Sequence, residues 1–263
     1  MAPGHHALRN ETDRLDSSSV PAGPGCAPHR RGHRQLAAGV ATPQAVSRGP
    51  VSRRSVILIG GGEHARVVAD AVRSNPDTFD LIGFVEPNPD SEMARQLRAP
   101  HLGDDTALAR YPDALVVVAF GSLRPSSARR DAVGRLGHLA GRWATVVHHH
   151  AVVAPDAVLG EGTVVLAGAV VDVGARIGAH CVINATAYIG HNATVGDFAL
   201  VAGLVGGGAS VGAGAFLGLG ALIRDHCTVG ADSLVGMGAI VVSDVASGAQ
   251  VFPRGVAIPG PRS

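Results

Sequence analysis

The chain has 263 residues, 46% of them hydrophobic but only 3% aromatic, with a formal net charge of +1. Near-neutral charge removes the electrostatic case for nucleic acid. Three cysteines, Cys26, Cys181 and Cys227, make no disulfide framework, and no apolar run is long enough to span a membrane.

Residues 1–53 are rich in Arg, Pro, Gly, Ser and His without apolar periodicity, a composition expected to be disordered. No hydrophobic signal core is present there, so a cytoplasmic protein is expected. Residues 54–147 read as alternating strands and helices. Strands are expected at Ser55–Gly60, Leu81–Glu86, Ala114–Phe120 and Trp143–Val147. Helices are expected at Glu63–Ser74, Asp104–Arg110 and Pro125–Leu139. That alternation implies a small parallel sheet covered by helices.

Gly60-Gly61-Gly62-Glu63-His64-Ala65 joins the first strand to the first helix. It fits G-x-G-x-x-A, a variant of the dinucleotide fingerprint, with the acidic Glu86 closing the next strand. Glycines let the backbone approach a phosphate, and a helix N-terminus attracts the anion. A tight βα turn without a ligand is the plain alternative. The domain is small for a complete dinucleotide fold, so a nucleotide or nucleotide sugar fits better than NAD. An oxidoreductase would rest on this turn alone.

From Val152 to Val245 the chain repeats every six residues, with a four-residue break, GGGA, at 206–209. The second position of all fifteen hexads is Val, Ile or Leu, and the sixth is small. Such periods are the signature of a β-helix, expected over 148–250 with a tail at 251–263. Each hexad is one short strand and a turn, and three make a triangular coil whose branched residues stack inward. The frequent third-position Gly is expected to serve unusual backbone angles. Cys181 and Cys227 take the small sixth position and face the core, so neither reads as a nucleophile.

His191 falls on the fourth position, at a corner away from the core, with Asn192 beside it and Asn184 seven residues earlier. A corner histidine with a polar neighbour suits a general base, because its ordinary pKa is near neutrality. A solvated surface histidine is the plain alternative, and that plain reading is kept for His180 and His226.

Gly60–Asp70, Leu81–Pro87, Gly162–Ala169, Arg176–Asn184, Tyr188–Gly196 and Phe216–Ala221 occur in an order that resembles the bacterial sugar acetyltransferases of the left-handed β-helix superfamily. The similarity is to sialic-acid O-acetyltransferase-like proteins and to the N-acetyltransferases of UDP-4-amino sugars. It implies a small α/β Rossmann-like domain followed by a left-handed parallel β-helix of hexapeptide repeats. It further implies acetyl-CoA, or another acyl-CoA, as co-substrate, no metal, and a homotrimer with the donor groove between chains. Carried over, His191 is the base and Asn184 positions the acceptor. Gly60, Gly61, Gly62, His64 and Glu86 form the nucleotide-binding turn. Leu200, Ala202, Gly207, Gly208 and Gly220 fall in the CoA-binding stretch, where a Gly207 or Gly208 amide would hold the thioester oxyanion.

The chain departs from that pattern at the chemistry. Gly190 and Asn192 stand where the family carries acids, Leu200 where it has a second histidine, and Ala202 where it has Ser. Phe252-Pro253-Arg254-Gly255-Val256 replaces its terminal G-V-P-A-R, near the CoA adenine. The expected function is acyl transfer to an amino or hydroxyl group of a nucleotide-activated sugar. The alternative is a degenerate nucleotide-sugar-binding or assembly protein on the same scaffold.

Overall fold

The computed structural model describes residues 53–88, 92–121 and 127–253. The extension expected to be disordered at 1–53 lies outside these residues except for Arg53, and all described residues belong to one compact unit.

Three parallel strands, β1 (Arg54–Ile59), β2 (Phe79–Val85) and β3 (Leu115–Val118), pair in the order β2-β1-β3. The central strand runs Val56, Ile57, Leu58, Ile59, all buried, as expected of a parallel strand covered on both faces. Helix α1 (Glu63–Arg73) buries Ala65, Val68, Ala69, Ala71 and Val72 on one side. A short helix α2 (Glu92–Gln96), which the sequence did not signal, packs beside it, and Asp105–Arg110 forms a 3₁₀ turn capped by Asp104. The helix expected at Pro125–Leu139 divides into α3 (Ala128–Arg135) and a 3₁₀ turn at Gly137–Leu139, its first two residues lying outside those described.

The expected fourth strand is a correction. Trp143 makes only an isolated bridge to Val116, while Val146–Val147 pairs with Val164–Val165. That pair therefore opens the β-helix instead of closing the α/β sheet. The two parts share one core, in which Val146, Val164, Leu166 and Val182 join Val68 and Leu115.

The β-helix runs from Val146 to Val251 as three parallel sheets of seven, six and five two-residue strands. The second residue of each strand points inward: Ile183, Val201 and Leu217 on the first face, Ile189, Val205 and Ile223 on the second, Ile177, Val195 and Val211 on the third, all buried. Sixth-position Ala and Cys fill the corners between them. Each buried branched side chain contributes about 1.5–3 kcal/mol, so the core is assembled rung by rung.

Two expectations about the repeat change. The left-handed backbone falls on the fifth position, not the third: His180, Asn192, Phe198 and His226 all have φ between 54 and 61°. Third-position glycines are needed because the next coil passes too close; a side chain at Gly196 would come within 2.6 Å of the Ala213 nitrogen. The phase break also moves. Leu204–Val205 is a strand paired with Tyr188–Ile189, so Leu204–Ala209 is a full side, and the short one is Leu200–Gly203. Gly203 turns that corner where any side chain would strike the Ala221 carbonyl.

Arg129 of α3 fastens the α/β part to the prism. Its buried guanidinium donates to the carbonyls of His180 (2.9 Å), Phe198 (2.6 Å) and Ala199 (3.4 Å). His180 is not the solvated surface residue expected: it is buried, stacked on Phe198 and edge-on to Trp143, filling the space over Gly162.

Candidate active site

The candidate residues form two groups on different sides of the prism. The first is the turn after β1. Gly60 has φ +106°, and a side chain there would come within 2.9 Å of the Phe120 ring, so only glycine fits. Gly61 donates its N–H to Glu86 Oε2 at 3.0 Å, and Asn88 donates to Glu86 Oε1 at 3.3 Å. The acid at the end of β2 thus closes onto the turn itself. A phosphate at the Gly61 amide would have to displace a like-charged carboxylate. Ala65 already donates its N–H to the Gly62 carbonyl at 3.1 Å, so the Glu63 and His64 amides at the start of α1 are the donors that remain for an anion.

His64 projects from that first turn toward Gly121 and Leu200, both close to its ring or to the space beside it. Its Nε2 is buried with no protein partner. Burial, and next the positive charge of Arg129, lower its pKa to about 4. It is therefore a neutral hydrogen-bonding group and not a cation for phosphate.

The second group surrounds His191, at the corner after the second face. The imidazole lies over Gly207 of the next coil, where any side chain would run into Nε2. Asn192 Nδ2 stands 3.3 Å from His191 Nδ1. Gly207 donates its N–H to Asp225 Oδ1 at 2.8 Å, and Gly208 donates to the His191 carbonyl at 2.8 Å. Both amides expected to hold an oxyanion are therefore already engaged within the chain.

The structure does not bring Asn184 to His191. Asn184, Ala202 and Gly220 stack at the corner between the first and second faces; the Asn184 amide donates to Val201 and the Gly220 amide to Ala202. Leu200 lies on the first face, packed against the α/β core with Ala185, so it borders His64 and not Gly207. The expected CoA-binding set is split between two corners of one chain. Phe252 packs on Gly236, within 2.7 Å of where a side chain would begin; the terminal segment from Arg254 lies outside the described residues.

Cys181 is buried, donates toward the Gly196 carbonyl and has its pKa pushed up to about 11 by burial, which makes it inert as a nucleophile. Cys227 is also buried, and Cys26 lies outside the described residues. Among the described residues, no group of three or more His, Cys, Asp or Glu is arranged to hold a metal ion. Asp225 and Asp172 at the His191 corner escaped the sequence reading. The coil repeat of about eighteen residues would have found them, since Asp225 is eighteen beyond Gly207 and Asp172 eighteen before Gly190.

Residues 55–131 match the PglD N-terminal domain family. The perosamine N-acetyltransferase of Caulobacter crescentus, solved with CoA and GDP-perosamine, is 32% identical, with a TM-score of 0.65, covering 79% of this chain and 97% of its own. The chain belongs to the hexapeptide-repeat sugar acetyltransferases. The acetyltransferase domain of PglB from Neisseria gonorrhoeae, solved with acetyl coenzyme A, is 26% identical with a TM-score of 0.69, over 76% of this chain and 97% of that one. UDP-N-acetylbacillosamine N-acetyltransferase of Bacillus subtilis is 32% identical over 110 residues; the match spans half of that curated relative and 41% of this chain. Within this family member the small α/β domain and the left-handed β-helix are the two family parts. The seam between them carries the glycine turn and His64.

Proposed function

We propose that the protein transfers an acetyl group from acetyl-CoA to an amino or hydroxyl group of a nucleotide-activated sugar, with His191 as general base. The observation that carries this is the pairing, in one family member, of a Glu86-closed glycine turn with an exposed imidazole seated over Gly207. The relative that is 32% identical holds CoA and GDP-perosamine.

In the proposed reaction the acceptor nitrogen or oxygen attacks the thioester carbonyl, His191 Nε2 takes its proton, and the CoA thiolate leaves. For Nε2 to accept a proton, Nδ1 must carry the hydrogen of the neutral ring and donate it. Asn192 must then present its carbonyl oxygen to Nδ1, which needs only a half-turn of the amide. Asparagine orients the ring but does not neutralise the imidazolium, which an acid in that position would do.

The proposal includes a homotrimer acting in the cytoplasm. A single chain keeps the His64 turn and His191 on different sides of the prism, so a second copy must bring them together. The outer side of the second face, with Val152, Leu204, Leu222 and Ile240 all exposed, is the apolar surface for that contact. No helix among the described residues is long and apolar enough to cross a membrane.

A calorimetric titration with CoA, then with GDP-perosamine and UDP-4-amino sugars, tests the reading. One CoA per chain, followed by thiol release in a mixture with a sugar nucleotide, supports it. Binding of the sugar nucleotide without CoA would instead identify a binding protein on a lost donor groove.

A further inference from the structure

Two features of the His191 corner are not used by the reaction above: a phenol and the carboxylate that holds it. Val170, Tyr188 and Leu204 are register partners on consecutive coils of the second face. Asp172 follows the first of these strands, and its N–H donates to the Ile189 carbonyl at 2.9 Å, which places it beneath Gly190, next to His191. Tyr188 Oη donates to Asp172 Oδ2 at 3.1 Å.

That hydrogen bond, then partial burial and the charges of Asp172 and Asp225, raise the Tyr188 pKa. The phenol stays neutral and is a poor acid, so protonating the leaving thiolate is not its task. Its proton is committed to Asp172, which leaves the oxygen lone pairs to accept from a ligand. The same edge carries the other half of the arrangement. Asp225, whose charge reaches Tyr188, also binds the Gly207 amide under the His191 ring. Tyr188 is three residues before His191, a backbone span of at most about 10 Å. Asp225, in electrostatic reach of the phenol and bonded to the glycine that backs the imidazole, sets both groups on the same edge of the prism.

We infer that Tyr188, oriented by Asp172, is a positioning residue for the acceptor: its phenol oxygen accepts a hydrogen bond from an amino or hydroxyl hydrogen of the sugar beside the group that His191 deprotonates. This rests on the acetyltransferase reading. It assigns the site a preference for acceptors with a hydrogen-bond donor next to the reacting group. It also gives the chain a carboxylate-linked contact where Gly190 and Asn192 supply none in sequence.

The test uses GDP-perosamine and acetyl-CoA with the full chain, comparing wild type, Tyr188→Phe, Asp172→Asn and the double variant. Tyr188→Phe is expected to raise the KM for the sugar nucleotide about tenfold, with the KM for acetyl-CoA and the thermal midpoint unchanged. Asp172→Asn should do the same more weakly, and the double variant should be no worse than Tyr188→Phe alone, because the two act as one unit. Direct titration of GDP-perosamine separates the two ways of failing. A wild type that neither binds nor acetylates GDP-perosamine or any of the UDP-4-amino sugars overturns the functional reading and this inference with it. A wild type that binds GDP-perosamine with an affinity equal to that of Tyr188→Phe overturns this inference alone, and so does an acetyl-CoA KM that rises together with the sugar KM.

Discussion

His64 and His191 are the same residue type in opposite surroundings. His64 stands at the seam between α1 and the first face, with Nε2 enclosed and the Arg129 charge nearby, and its pKa is lowered to about 4. His191 stands exposed on a corner, backed by a glycine and flanked by an amide side chain. A ring held near 4 is too weak a base to deprotonate an acceptor near neutral pH, but as a neutral group it can direct a hydrogen bond at a bound sugar nucleotide. The corner ring is open to substrate, and its chemistry depends on which atom Asn192 presents to it. Burial thus sets the two histidines apart in charge and in access to solvent.

The sharpest way to break this comparison is to remove each side. His191→Ala should cost about 10²–10⁴ in kcat/KM with an unchanged melting curve; activity near wild type would remove it from the reaction. Arg129→Met should act on the other side, on stability. It leaves three carbonyls without their charged donor, a loss on the order of 3 kcal/mol in urea unfolding.

The pH dependence follows from the seam. Burial lowers the pKa of His64, and also that of His180. Between the ordinary value of 6.5 and about 4, the unfolded chain binds a proton at His64 that the folded chain refuses. Stability should therefore fall as pH drops through that window and stay level above it, with His64 alone contributing about 3 kcal/mol across it. His64→Leu should flatten part of the slope in denaturant titrations at successive pH values; an unaltered slope would contradict the assignment.

Smaller effects sharpen the corner. Gly207→Ala pushes a methyl into the His191 Nε2 position and should lower kcat about tenfold or more without altering CoA affinity in calorimetry. Asn192→Asp should raise kcat by a few-fold, because a carboxylate accepts from Nδ1 without an amide turn and stabilises the imidazolium. A lower kcat in a well-folded Asn192→Asp protein would mean that orientation, not charge, limits the base.

Much of the β-helix was legible. Inward Val, Ile and Leu at every second position and small residues at the sixth follow directly from stacking identical coils. The repeat is ambiguous where two registers satisfy the same pattern. LVAGLV offers Val201 and Val205 to either phase, and only the pairing of Leu204 with Tyr188 makes the short side Leu200–Gly203. Trp143–Val147 is ambiguous for a related reason: a valine pair fits a sheet edge or a first coil equally, and the open edge beside Val164–Val165 claimed it.

At the site, the glycine turn, Glu86, His191 and Asn192 were all visible as short-range motifs. Their partners were not. Asp225, one coil after Gly207, and Asp172, one coil before Gly190, lie outside any local window but adjacent in space. Hexad spacing and the family resemblance both group Asn184 with His191. In the prism the seven-residue step between them spans a face and turns two corners. The sequence determined the repeat, the family and the residue types that do chemistry, because each of these depends on local spacing. The tertiary structure alone decided which histidine is buried, which amides are already engaged and which residues share a corner, because stacking sets residues about eighteen apart in contact and burial sets their charge.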